Sequence, residues 1–344
     1  MTVPTLLISA AEPSGDRMAA DLVCALREHG EVDAFGLAGP HMRAAGVEAV
    51  AQMEDVCAMG VMDVLVRLPA ILAAKSALRQ SLKRRPNAAL FVDAPDLHLP
   101  IAARAKSMGI PSIGWVSPQV WAWRQGRVGT VTEAFDQLLC LFDFEPDLYP
   151  NLETHFTGHP VLDRLVPRTR TEPHLYGLAP GSRPQEVNRM WPVFIEAAQR
   201  IQRHEPRAKF RVISPVPELP VPEWIERKEH AQDFAPCRGV LTKSGTITLE
   251  LAVLGVPQAV AHKVHPSTAW LGRRLVRGIE HIAMPNVLAG NAVIPEFIQD
   301  LNPEDLATAV LQLPADQPID LSALGAPGGV VRAAERVRAS MGAS

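Results

Sequence analysis

Two carboxylates three residues apart, Asp93 and Asp96, follow the apolar run Ala88 to Val92, with Pro95 between them. The run is short and continuous, as expected of a strand buried on both faces of a parallel sheet. Pro95 ends the strand and disfavours helix at Ala94. Both acids therefore fall at the carboxyl end of a central strand, where open α/β sheets bind their ligands. A carboxylate held there can take a proton from an attacking hydroxyl. The alternative for each acid is structural: one caps a helix expected from Leu99 to Gly109, and the other is solvated.

Three further turns carry groups that could meet a ligand. Ala11-Glu12-Pro13-Ser14-Gly15-Asp16 joins a strand at Thr5 to Ala10 to a helix at Arg17 to His29. Ser14 or Asp16 can cap that helix, and Gly15 permits a close backbone approach. Pro180-Gly181-Ser182-Arg183 opens a helix in which Ser182 and Gln185 fit a capping box. The first-turn amides, with Arg183 beside them, suit a phosphate. Ser244-Gly245-Thr246 opens another helix, with Glu250 one turn in. Glu250 can accept both hydroxyls of a ribose or act as a helix-dipole partner. A fourth stretch holds three of the six tryptophans: Trp115, Trp121 and Trp123, followed by Arg124 and Arg127. Such a cluster is either core or a surface where rings stack on a sugar and arginines meet phosphate. His281 to Gly290 reads as a loop presenting Asn286.

The elements that must position these groups alternate. Strands are expected at Val32–Gly39, Pro111–Ser117, Gln137–Phe142 and His155–Gly158. After a polar, proline-bounded linker at Val166–Pro173 come strands at His174–Ala179, Lys209–Ser214, Val240–Lys243 and Pro257–Val264. Helices fill the intervals, among them Thr268–Arg277, Pro303–Leu313 and Gly329–Met341. With 344 residues and 47% hydrophobic composition, two cores are expected rather than one. A net charge of −3 gives no reason to expect nucleic acid. The four cysteines are scattered without metal-ligand spacing, which suits a reducing compartment. The first residues lack the basic start of a signal peptide. No apolar run approaches the ~20 residues of a membrane span.

One segment departs from the pattern. Ala58 to Arg85 is apolar in its first half, with Met62, Leu65, Leu68 and Leu72 among its side chains. Its second half is basic, with Lys75, Arg79, Lys83, Arg84 and Arg85. It reads either as a buried crossover helix or as an apolar surface ringed by cations, suited to acyl chains or an anionic bilayer. Pro69 is expected to break or kink it into two short pieces. Arg273, Arg274 and Arg277 would add to a basic face.

The architecture these signals imply is α/β and GT-B-like: two Rossmann-type, doubly wound parallel-sheet domains facing a central cleft. Domain bounds are expected at 1–165, 166–325 and 326–344, the last a helix returning to the first domain. In such glycosyltransferases the nucleotide-sugar sits in the second domain and the acceptor in the first. No Asp-x-Asp motif follows a strand, so no metal and no cofactor are expected. Arg183 and helix dipoles would meet the charge on the leaving diphosphate.

The chain resembles the lipid-A-disaccharide synthase family. The resemblance rests on Glu12-Pro13-Ser14-Gly15-Asp16, Ala38-Gly39-Pro40, Met59-Gly60, Val92-Asp93-Ala94-Pro95-Asp96 and the block from Trp115 to Arg124. It continues through Gly158-His159, Pro180-Gly181-Ser182-Arg183, Glu186-Val187, Ser244-Gly245-Thr246, Leu249-Glu250 and Pro285 to Gly290. The tryptophan block and the order of the motifs are the specific part. The resemblance implies transfer of diacylglucosamine from its UDP conjugate to the 6-hydroxyl of diacylglucosamine 1-phosphate, giving a β-1,6 disaccharide with inversion. It implies Asp93 as general base, with Glu12, Ser14, Asp96, Trp123 and Arg124 on the acceptor side. Ser182, Arg183, Ser244, Gly245, Thr246, Glu250 and Asn286 would serve the nucleotide-sugar. It further implies a cytoplasmic protein held peripherally on the inner face of the cytoplasmic membrane, as monomer or homodimer. Pro13 in the first turn and a short span from Pro215 to Arg238 depart from the pattern. Two other readings remain: a GT-B epimerase or transferase with a non-lipid acceptor, and a non-catalytic UDP-sugar-binding homologue.

Overall fold

The computed structural model describes residues 3–57, 61–120, 125–263 and 281–342, with the backbone alone at 61–66 and 125. The chain divides into two α/β units, Met1–Asp163 with Ala323–Ser344, and Arg164–Ser322.

The first unit is built on β1 (Thr5–Ala10), β2 (Asp33–Ala38), β3 (Glu48–Gln52), β4 (Ala88–Val92), β5 (Ser112–Trp115), β6 (Gln137–Cys140) and β7 (Glu153–Phe156). All pair in parallel, in the order β3-β2-β1-β4-β5-β6-β7. The central strands β1 and β4 are buried almost throughout because helices cover both faces. The helices are α1 (Pro13–Arg27), α2 (Pro40–Ala44), α3 (Met53–Val56), α4 (Val61–Ser81), α5 (Pro95–Ser107), α6 (Val128–Ala134) and the short α7 (Val161–Arg164). The chain winds outward from β1 to β3, returns to β4, and winds the other way. The order reverses between β1 and β4, so their carboxyl ends flank an open crevice.

The second unit repeats this plan with β8 (Glu172–Ala179), β9 (Lys209–Ile213), β10 (Ile225–Lys228), β11 (Cys237–Lys243), β12 (Gln258–His262) and β13 (Glu296–Ile298). Their order is β10-β9-β8-β11-β12-β13, all parallel, with the reversal between β8 and β11. Among the described residues its helices are α8 (Pro184–His204), α9 (Thr246–Leu254), α10 (Met284–Ala289) and α11 (Pro303–Leu311). Val187, Met190, Trp191, Phe194, Ala197, Ala198 and Ile201 make one buried stripe on α8, at the spacing of a helix face. The last helix, α12 (Gly329–Ser340), packs on α1 of the first unit.

Several elements differ from the sequence expectation. β3, β10 and β13 were not foreseen. They are short strands at or near a sheet edge, and β10 (Ile-Glu-Arg-Lys) lacks the apolar run of a central strand. α5 starts at Pro95, not near Leu99, because proline suits the first helical position and Ala94 takes a left-handed conformation that turns the chain into it. Pro13 likewise opens α1 and Pro285 lies in the first turn of α10, each after an extended N-cap residue, and α10 replaces the expected loop. α4 runs through Pro69 as one helix of 21 residues. Ile71, Ala74 and Leu78 hold the part of the helix after Pro69 to the core, and Leu82 in the turn that follows is buried with them. The expected helix at 268–277, with Arg273, Arg274 and Arg277, lies outside the described residues.

Candidate active site

Two loops leave the reversal point of the first sheet: Ala11-Glu12 after β1 and Asp93 to Asp96 after β4. They line a cavity of about 610 Å³ together with the loop after β5, from Val116 to Val120. The remaining walls are Val56, Leu68, Ile71 and Lys75, with Leu97 and Arg127. Asp93, Ala94 and Val116 all have left-handed backbones, at φ 51°, 47° and 77°. For a β-branched residue such as Val116 this is a strained position. Strain of that kind costs on the order of 1–3 kcal/mol per residue and collects where a site needs a particular geometry.

Asp93 is held from behind. His98 is fully buried, and its Nδ1 donates to the Asp93 carbonyl oxygen at 2.6 Å. A carbonyl only accepts, so Nδ1 carries the proton. Burial, with Lys75 nearby, pushes the His98 pKa down to about 4, so the ring is neutral. Its Nε2 is therefore a bare acceptor, and the Ser9 hydroxyl donates to it at 2.8 Å. This chain from β1 through α5 fixes the left-handed turn that carries Asp93. Burial also pushes the Asp93 carboxyl up to about 6, with the Glu12 charge adding to the shift. A carboxylate with a pKa near 6 is a stronger base than a solvated one while remaining ionised at neutral pH.

Asp96 stands apart from it, exposed in the first turn of α5. Its carboxylate pairs with Arg127, and its carbonyl accepts from Lys75 Nζ at 3.3 Å. Glu12 is the N-cap residue of α1 and makes no side-chain cap; Ser14 is exposed in the first turn. Asp16, expected as a possible cap of its own helix, is buried and caps another. It accepts from the backbone amides of Gly39 (2.8 Å), His41 (2.9 Å) and Met42 (3.2 Å) at the start of α2. A Cβ at Gly39 would lie 2.5 Å from its carboxyl carbon, which is why glycine precedes Pro40. Trp115 went to the core, with no exposed surface. Trp123 and Arg124 lie outside the described residues.

At the reversal point of the second sheet, the loops after β8 and β11 each open a helix without a side-chain cap. Arg183 is the N-cap residue of α8, so the expected Ser182–Gln185 capping box does not form; Ser182 is exposed one residue outside. Gly245 is the N-cap of α9, and Gly245 and Thr246 are exposed. Ser244 is buried, its hydroxyl donating to the Ile282 carbonyl at 2.9 Å. Glu250 is half-buried within α9. Asn286 is fully buried and saturated. Its Nδ2 donates to the Ile294 carbonyl (2.8 Å) and Glu296 (2.7 Å), and its Oδ1 accepts from the amides of Val293 (2.9 Å) and Ile294 (2.7 Å). It clamps the loop ahead of β13 and presents no atom to a ligand in this conformation.

Three arrangements near these loops are not expected from the sequence. Glu186 on α8 pairs with Lys243 at the end of β11 at 2.9 Å, tying the two loops together. At the end of β12, burial and Lys243 push His262 down to about 4, and its Nδ1 is buried without a hydrogen-bond partner. In the first unit, Ser117 and Tyr149 hydrogen-bond at 3.0 Å beneath the loop after β5. None of these pairings leaves a local pattern in the chain. Among the described residues no group of three His, Cys, Asp or Glu could hold a metal ion, and no helix is long and apolar enough to cross a membrane.

Two parallel sheets, each open at its reversal point, make the GT-B architecture, shared by glycosyltransferases and nucleotide-sugar epimerases. The fold is similar to that of the UDP-GlcNAc 2-epimerase of Neisseria meningitidis, solved with UDP-GlcNAc (TM-score 0.61, 12% identity, 98% of this chain and 99% of that one). It is equally similar to the glycotransferase of kitacinnamycin (TM-score 0.62, 16% identity, 98% of each). The chain belongs to the lipid-A-disaccharide synthase family: the family model for lipid-A-disaccharide synthetase matches residues 6–317. The lipid-A-disaccharide synthase of Anaeromyxobacter dehalogenans strain 2CP-C is 36% identical over 96% of both chains. That of Geobacter sulfurreducens is 34% identical over 91% of this chain and 88% of its own.

Proposed function

We infer that this protein is a glycosyltransferase that forms the lipid A disaccharide, joining 2,3-diacylglucosamine from its UDP conjugate to the 6-hydroxyl of 2,3-diacylglucosamine 1-phosphate. Family membership supports the reaction. The observation that carries the mechanism is Asp93, a carboxylate of raised pKa lining a cavity at the reversal point of the first sheet.

The acceptor lies in that cavity with its 6-oxygen against Asp93. The oxygen attacks the anomeric carbon of the donor from the face opposite UDP. The bond to UDP breaks, the configuration inverts, and the hydroxyl proton passes to Asp93. The strained turn and the His98–Ser9 chain behind it hold the carboxylate in place. Glu12 keeps Asp93 basic by its charge. Ser14, Trp123 and Arg124 complete the acceptor side.

The nucleotide-sugar binds the second unit. The uncapped first turns of α8 and α9 offer backbone amides to the diphosphate, and Arg183 adds charge as UDP leaves. Ser182, Gly245 and Thr246 border that seat, Ser244 shapes the second turn, and Glu250 takes the ribose. Asn286 serves this side through the loop it clamps. No metal ion enters the mechanism.

Substrates with two acyl chains each do not leave a bilayer readily, so the enzyme works peripherally on the cytoplasmic face of the inner membrane. Leu68 and Leu72, 42% and 56% exposed one turn apart on α4, are the apolar contact. Met62 and Leu65 precede them on that helix. The basic residues that follow contribute less than their number suggests. Arg84 pairs with Glu48 at 2.8 Å, Arg85 donates to the Met108 carbonyl, and Lys75 turns to the cavity. Arg79 and Lys83 remain exposed. The deciding experiment mixes UDP-diacylglucosamine with diacylglucosamine 1-phosphate and measures UDP release. UDP binding without turnover would favour a non-catalytic homologue instead.

A further inference from the structure

We propose that Lys75 and Arg127 form the seat for the acceptor's 1-phosphate within the first unit's cavity. The proposal rests on reading that cavity as the acceptor side. Lys75 comes from α4, and Arg127 from the turn ahead of α6, yet both line the space that Asp93 lines. At about 610 Å³ the cavity has the size of a small-ligand site and can hold a phosphorylated sugar ring.

Asp96 joins the two cations. It accepts from Lys75 through its carbonyl and pairs with Arg127 through its carboxylate. The partners differ in exposure: the Asp96 side chain is 75% exposed and that of Arg127 19%. The arginine is thus set into the cavity wall, while the carboxylate stands largely in solvent. A surface ion pair of this kind is weak. A phosphate brings more negative charge and three acceptor oxygens to the planar guanidinium, a stronger charge-assisted contact. Lys75 supplies a second positive charge without requiring a fixed geometry.

The surroundings match the rest of such a ligand. Val56, Leu68 and Ile71 form apolar wall beside Lys75, so an anionic group and hydrocarbon are accommodated side by side. Leu68 is also exposed at the surface, which gives an acyl chain a way out toward a bilayer. Among the described residues, the cavity's other carboxylates are Glu12 and Asp93. A phosphate is repelled by that end and drawn to Lys75 and Arg127, which directs the sugar's far side, with its hydroxyl, toward Asp93.

The test uses the full chain in neutral detergent micelles with UDP-diacylglucosamine at saturation. Two acceptors are compared, diacylglucosamine 1-phosphate and the same diacylglucosamine without phosphate, in wild type, Lys75→Met, Arg127→Met and Arg127→Lys. The wild type should prefer the phosphorylated acceptor. In each methionine variant that preference should fall by about 10–100-fold, through a higher KM for the phosphorylated acceptor. Arg127→Lys should keep part of it. A folding defect lowers turnover of both acceptors and leaves the ratio intact, so the ratio reads the seat alone. An unchanged ratio overturns the proposal. So does an effect seen only on anionic phospholipid vesicles, which would make the ligand a lipid headgroup. If the wild type turns over neither acceptor, the functional reading fails and the seat is judged by titrating glucosamine 1-phosphate. Equal affinity in wild type and variants would then remove it.

Discussion

Replacing Asp93 by Asn probes catalysis and stability at once. Asparagine tolerates a left-handed backbone, so the turn between β4 and α5 should persist. The lost base should lower turnover by ~10²–10⁴-fold. Stability should move the other way. The folded carboxyl titrates at about 6 against an ordinary 3.8, because burial and Glu12 disfavour its charge. A raised folded pKa means that ionisation opposes folding as pH climbs from the ordinary value through the folded one. The penalty is absent in strong acid and complete above about pH 6. A shift of ~2 pH units is worth up to about 3 kcal/mol. Asp93 keeps some exposure to the cavity, so a gain of ~1–3 kcal/mol is expected in the variant near pH 8. For a unit of this size that is a melting temperature several degrees higher. At pH 5 about half of the gain should remain, since the unfolded carboxyl is ionised there and the folded one is not. Thermal melts at pH 5 and pH 8, with UDP release as the rate assay, read all of this. The wild-type kcat/KM profile should fall on its acid side with an apparent pKa near 6. A variant with near-normal rate would take Asp93 out of the mechanism and leave Asp96 to be tested. Equal stabilisation at both pH values would refute the burial argument even if activity were lost.

Three other outcomes are expected. Arg183→Ala should weaken UDP binding by about 10–100-fold in calorimetry, the value of a charge-assisted contact; unchanged affinity would count against the diphosphate seat on α8. Ser9→Ala leaves His98 Nε2 buried without a donor, which should cost about 1–3 kcal/mol and lower kcat as the Asp93 turn loosens; intact stability and kcat would show that the chain behind Asp93 does not position it. Changing Leu68 and Leu72 together to Ser should reduce liposome binding without lowering the melting temperature, because both are exposed; a collapse in stability would assign them to the core.

Most of the architecture was legible because it depends on local composition. Buried parallel strands are apolar along most of their central residues, so β4 and the cores of β1, β8 and β11 stand out as short runs, and the turns that follow them lie at the carboxyl edge of a sheet. That was enough to bring Glu12 and Asp93 to one reversal point, and Arg183 and Thr246 to another. The edge strands were not legible. β10 is polar because solvent is available to it, and β13 has three residues, so neither has a periodicity to detect. Proline in a first helical turn hides the helix: α5 starts at Pro95, ahead of the expected Leu99, and α10 around Pro285 stands where a loop is expected.

What the sequence by itself determined is the set of chemical groups and the edge of each sheet on which they fall, since both follow from patterns spanning a few residues. Only the tertiary structure decided which groups are solvated and which partners they meet. Asp93 and Asp96 are identical and three residues apart, yet burial beside Glu12 raises one, while the other lies exposed against Arg127. Asp16 caps α2 rather than its own helix, Asn286 spends its amide on the loop before β13, and Lys75 reaches the cavity from α4. The Asn286 clamp reaches only a few residues along the chain, but the Asp16 and Lys75 contacts depend on distances between segments more than twenty residues apart. Desolvation and charge pairing act through space, and the order of residues along the chain does not specify that space until the sheets are packed.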